Sequence, residues 1–138
     1  MTEEQIELGR RAVACKGWRW MPGMLARDAR WILHRIQDDG SALDLSDDIL
    51  ERGWGYSTKT LRPIFDDPAT LGCLLALVRE AWNDKAMTCA RVDVLDTYIA
   101  PLPGGYPYGV VGMDRRRIFK RYFGSEAEAL VAALEAAP

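Results

Sequence analysis

Residues 29–45 read ARWILHRIQDDGSALDL, and this stretch decides the class of fold. Residues 29–36 are rich in Trp, Ile and Leu and predict a strand. Asp38-Asp39-Gly40 supplies a hairpin turn, because Asp-Gly tolerates the positive φ that a tight turn requires. Residues 41–45 then return as a second short strand. Trp31, Ile32 and Arg35 also fit one helical face, so the turn signal carries the choice. Two strands joined this tightly must be antiparallel.

The rest of the chain surrounds that hairpin with helices. Residues 2–15 predict a helix, opened by a Thr2/Gln5 capping box with Glu3 and Glu4 in its first turn. Lys16-Gly17 predicts its end, and Gly9 suggests a close contact. Pro22-Gly23 marks a turn. Residues 46–66 read as an irregular loop with a short helix at 46–51 and a strand near 60–65. Residues 68–83 predict the clearest helix, with Asp67 as N-cap and Pro68 at its first position. Leu71, Leu74, Leu75, Val78 and Trp82 form its apolar stripe. Ala90–Ile99, Tyr108–Val111 and Arg115–Phe123 predict strands. Ser125 and Glu128 form a second capping box, opening a helix to about residue 136 with Leu130, Val131 and Leu134 on its seam.

Strands therefore come in groups and do not alternate singly with helices. That pattern predicts an α+β domain over 1–138, with an antiparallel sheet of about four to five strands covered by three helices. The expected order is α-ββ-α-βββ-α.

Composition limits what such a domain can be. The chain of 138 residues is 49% hydrophobic and 28% charged, as a folded protein is. Eighteen Lys and Arg against twenty Asp and Glu leave a net charge of −2, which excludes a globally basic nucleic-acid coat. No apolar run nears the ~20 residues of a membrane span. The opening MTEEQIELGR has no apolar core, so no signal peptide is expected. Three scattered cysteines fit a reducing cytoplasm better than a disulfide framework.

Three strings, GWRWMPGM (17–24), DDPATLGCLLALVREAW (66–82) and FGSEAEALVAALEAAP (123–138), resemble small uncharacterised proteins carried by bacteriophages and prophages. The element layout is similar to the phage ABA sandwich domain, in which helices cover an antiparallel sheet. The resemblance implies a phage accessory protein in the cytoplasm of a bacterial host. It implies no activity and no catalytic residues.

The residues themselves offer little for catalysis. Structural zinc needs four closely paired Cys or His ligands, whereas Cys15, Cys73 and Cys89 are dispersed and His34 is the single histidine. No metal site and no cofactor are expected. A Cys or Ser nucleophile would have only His34 as its histidine base, and no nucleophile elbow or phosphate loop is present. His34 reads as a packing residue on a strand. The acids at Asp38, Asp39, Asp44, Asp47, Asp48 and Glu51 lack calcium-loop spacing and read as turn and solvated positions.

Candidate binding residues lie elsewhere. RRRIFKRYF (115–123) combines cations that neutralise phosphate or carboxylate with rings that stack. Strand alternation puts Arg115, Arg117 and Arg121 beside Phe119 and Phe123, with Arg116 and Lys120 opposite. An edge strand guarded by charge accounts for the same pattern. Two glycine-rich loops, GWGYSTKT (53–60) and PLPGGYPYG (101–109), carry Trp54, Tyr56, Tyr106 and Tyr108. Exposed Trp, Tyr and Arg dominate interface energetics, although such rings also close the ends of small cores. Trp18, Trp20, Trp31 and Trp82 read as core, which leaves Trp54 as the expected exposed tryptophan.

These features favour a non-enzymatic accessory protein that binds a host or phage macromolecule, a protein before a nucleic acid. Counter-defence is one form of that role. The alternatives are a nucleic-acid-binding module using residues 115–123 and a small enzyme of unknown reaction. Short hairpin edges are also compatible with a homodimer.

Overall fold

The computed structural model describes residues 2–44, 60–91, 108–112, 118–119 and 123–138. It is an α+β structure with three helices, a four-stranded antiparallel sheet and a two-stranded antiparallel sheet. The elements are α1 (Glu3–Ala14), β1 (Leu25–Arg27), β2 (Leu33–Ile36), β3 (Ala42–Asp44), β4 (Arg62–Pro63), α2 (Pro68–Ala81), β5 (Thr88–Arg91), β6 (Tyr108–Val111) and α3 (Glu126–Glu135). Two compact units divide the chain: Met1–Ala14 with Trp18–Cys73, and Cys15–Gly17 with Leu74–Pro138.

In the first unit the capping box forms as the sequence predicts. The Gln5 amide N–H donates to Thr2 Oγ1, and the Thr2 N–H donates to Gln5 Oε1 at 2.9 Å. Gly9 then brings α1 against β4, where an added Cβ would lie 3.4 Å from Pro63 Cδ. The larger sheet runs in the order β3-β2-β1-β4. Pro63 sits in β4 at the edge of that order, the place where a missing backbone donor does least harm. Residues 29–32 belong to a turn rather than to the predicted strand, because β2 starts only at Leu33. Strand β1, too short at three residues to show alternation, precedes that turn. Met24, Ala26, Ile36, Ala42 and Leu61 are buried at the centre of the unit.

The N-terminus of α2 is tied to this sheet by polar bonds. Asp67 caps the helix by accepting from the Thr70 N–H at 2.9 Å and the Thr70 hydroxyl at 2.7 Å. Thr70 Oγ1 in turn accepts from the Leu25 N–H at 2.7 Å. Burial pushes the Asp67 carboxyl up, but these bonds and the Arg35 guanidinium outweigh it and hold the pKa below the ordinary value. The buried line of α2 is Thr70, Leu74, Leu77 and Val78, with Leu71, Leu75 and Trp82 only half-buried. The buried line is rotated from the predicted stripe, because consecutive leucines offer several faces and the Thr70 hydroxyl is bonded inside.

The second unit pairs β5 with β6 and contains α3. Asn83 ends α2 at φ +50, with Asn83 N–H to Glu80 O and Asp84 N–H to Arg79 O closing a Schellman-type cap. Gly17 keeps a negative-side φ and serves as a close approach instead, since an added Cβ would lie 3.1 Å from Leu134 Cδ1. Ser125 caps α3 by accepting from the Glu128 N–H at 3.1 Å, and Glu128 reaches back to the Gly124 N–H. Burial extends beyond the predicted seam to Ala127, Ala129, Ala132 and Ala133. Trp82 is anchored by its indole N–H, which donates to Ala133 O at 2.7 Å.

Among the described residues no helix is long and apolar enough to cross a membrane.

Candidate functional site at the tip of the first hairpin

Two hairpins of the larger sheet share one design. In β2–β3 the Gln37 N–H donates to Ser41 O, the Gly40 N–H donates to Gln37 O, and Gly40 takes φ +82. This is a three-residue loop whose last position is left-handed, as the Asp-Asp-Gly motif predicts. In β1–β2 the Asp28 N–H donates to Ile32 O and the Trp31 N–H donates to Asp28 O. Trp31 takes φ +67. Tryptophan thus stands where the sister hairpin has glycine, at a cost of about 1–2 kcal/mol for a side-chain-bearing residue.

Asp28 holds this loop in place. Its Oδ1 accepts from the Arg30 N–H at 2.8 Å and the Ile32 N–H at 3.1 Å. Its Oδ2 lies 3.2 Å from Arg30 Nη2 and 3.0 Å from His34 Nε2. A carboxylate only accepts, so Nε2 carries the proton in that contact. Burial pushes Asp28 up, but the bonds from His34, from the Ile32 and Arg30 amides and from the Arg30 guanidinium prevail and hold its pKa at about 2. The carboxylate therefore remains charged and satisfied.

The tryptophan faces outward. Trp31 is 55% exposed, against its expected place in the core. One face of its ring lies on the Arg27 guanidinium, 4.0 Å from the ring centroid. Arg27 is the register partner of Leu33 and Arg35 that of Leu43, so Leu33 and Leu43 share the sheet face on which the ring lies. Leu33 is 40% and Leu43 37% exposed. These three are all the large exposed hydrophobics among the described residues, and they occupy one face of one sheet.

Cations border the same tip. Arg30 is largely exposed at its side chain. Burial and the neighbouring charge of Arg62 lower the pKa of Arg27, and Asp28 opposes them. Away from the tip, within β2, Arg35 donates to Gly23 O at 2.8 Å and to Asp67 at 3.0 Å.

The residues singled out from the sequence fall elsewhere. Trp54, Tyr56, Tyr106, Arg115, Arg117 and Arg121 lie outside the described residues, as do the helix expected at 46–51 and most of the predicted strands over 90–99 and 115–123. Tyr108 opens β6, half-buried, and its backbone pairs with Phe123. Phe119 is half-buried and meets the Phe123 ring edge-on at 5.3 Å. Both thus converge on Phe123, which is itself buried. Trp18 and Trp20 pack edge-on at 5.3 Å, with Phe65 beside Trp18.

Cys15, Cys73 and Cys89 are each half-buried. Burial, with a contribution from Glu126, pushes the Cys89 thiol up to about 12, which leaves it protonated and unreactive at neutral pH. His34, the one histidine, is fully buried against Asp28. Its ring holds the loop and does not meet solvent.

The missed residues are Asp28 and Trp31. A trace was present in the sequence: Asp28, three residues before Trp31, favours a side-chain-closed turn. The run of apolar residues after it masked that signal.

No protein-family model matches the chain, and neither a curated protein nor a solved structure matches it.

Proposed function

We propose that this chain is a non-enzymatic accessory protein that binds another protein through the sheet face headed by Trp31. The observation that supports this most is a bulky aromatic residue in a position made for glycine, with its ring outward. Strain of this kind persists where the side chain serves a purpose. An exposed Trp beside Arg, rimmed by Leu33 and Leu43, has the composition of an interface anchor. The loop is fixed beforehand by Asp28, so little ordering entropy is lost on docking. Burial of His34 speaks against acid–base chemistry at the Asp28–His34 pair. The three phage-like strings favour a phage or prophage origin and the bacterial cytoplasm as the place of action. Nucleic acid is disfavoured here by the aliphatic neighbours, which offer no stacking surface, and by the net charge of −2.

The test is quantitative capture from bacterial extracts on the immobilised full chain, wild type beside Trp31→Ala. A specific protein retained by the wild type should fall at least tenfold in the variant, a loss of about 1.4 kcal/mol or more. Equal capture by both chains, or no specific protein across several hosts, contradicts the proposal.

A further inference from the structure

We infer that the Trp31 face also fits a second copy of this chain, in a two-fold dimer built on β2. This rests on the binding role of the face proposed above and names one occupant for it. The two ends of β2 differ in character. At one end stand Trp31 and exposed Arg30. At the other, the β2–β3 turn carries Asp38 and Asp39, both exposed. The Ser41 hydroxyl and amide hold the Asp39 carboxyl below its ordinary pKa, so it is charged.

Trp31 and Asp38 are separated by roughly 20 Å of near-extended chain. A two-fold axis through the middle of β2 sets the cationic, aromatic tip of each copy on the acidic turn of the other. Two-fold interfaces are self-complementary, with each contact occurring twice. The middle of that span falls at His34 and Arg35, and Leu43 is the register partner of Arg35. Leu43 therefore lies near the axis and meets its own copy, while Leu33 fills the space toward Trp31. The apolar residues sit centrally and the charges at both ends, the usual division between interface core and rim. The chain thus carries both halves of the complementarity on one face. A heterologous protein partner would compete with the second copy for Trp31.

The experiment is sedimentation velocity of the full chain across a concentration series. The wild type should pass from monomer to dimer by about 100 μM, an affinity between the millimolar and micromolar marks. Trp31→Ala, Leu43→Ser and Asp38→Lys should each raise the dimer dissociation constant at least tenfold while their circular dichroism spectra match the wild type. Added salt should weaken the wild-type dimer, because rim charges are screened. A wild type that stays monomeric throughout overturns the inference, and so does a dimer that all three variants retain. A monomeric wild type that still loses a captured protein on Trp31→Ala removes self-pairing alone and leaves the protein-binding role standing.

Discussion

Asp28→Ala should lower the unfolding free energy by about 3 kcal/mol, because it removes one member of a buried polar pair and leaves His34 covered without its carboxylate. The change also removes the acceptor for the Arg30 and Ile32 amides. Each backbone donor left unsatisfied adds a cost of about 1 kcal/mol or more unless water reaches it. Asp28→Asn keeps an acceptor oxygen of the same shape and should cost less than the alanine change. Equilibrium urea unfolding measures both.

Acid adds an independent readout. The pKa of Asp28 falls from the ordinary 3.8 to about 2 in the folded chain. A depressed carboxyl stabilises the fold fully above pH 4 or so, and that contribution is lost as pH falls from there through about 2. Because the pair is buried, that difference in pKa corresponds to a contribution on the order of 2 kcal/mol. Wild-type stability should therefore decline over this window more steeply than that of Asp28→Asn. Parallel curves, or an alanine variant within about 0.5 kcal/mol of wild type, would mean that the carboxylate does not organise the loop.

Phe123→Ala should cost about 3–5 kcal/mol, the range for emptying a buried aromatic site. The ring is the largest fully buried side chain among the described residues. It also stands edge-on to Phe119, a geometry that contributes about 0.5–1.5 kcal/mol beyond area alone. The Phe123 backbone exchanges two hydrogen bonds with Tyr108 at 2.8 and 3.1 Å, which fixes the ring in place. The urea midpoint should drop sharply with no change in the slope. A loss below about 1 kcal/mol would instead place Phe123 on an accessible surface, as a base-stacking role for the segment 115–123 requires.

Much of the architecture was legible because it is written in local chemistry. Both capping boxes, the Asp67 cap, the Asp-Asp-Gly turn and the close approach at Gly9 each depend on residues a few positions apart. The α+β class followed from the grouping of strands. What the sequence concealed depends on long-range partners. Strand β1 has three residues and no alternation long enough to register. The orientation of α2 was decided by Thr70, whose hydroxyl is bonded to Asp67 and to the distant Leu25 amide. At the candidate site the obstacle was different. Trp31 lies in a run of apolar residues that reads as strand, and nothing in a side chain announces a left-handed backbone. Only the comparison with Gly40 in the sister hairpin shows that the fold asks for glycine there.

We propose that Trp31 is kept for what its ring touches outside the fold. Urea unfolding of Trp31→Gly beside wild type, at low chain concentration, tests that claim most directly. Glycine relieves about 1–2 kcal/mol of left-handed strain and forfeits about 0.5–1 kcal/mol of the Arg27–Trp31 stacking. The variant should therefore be as stable as the wild type or slightly more so, despite losing the largest side chain in the loop. A loss of about 2 kcal/mol or more would show the ring to be a structural part of the core, and the reading of this face as an interface would fall with it.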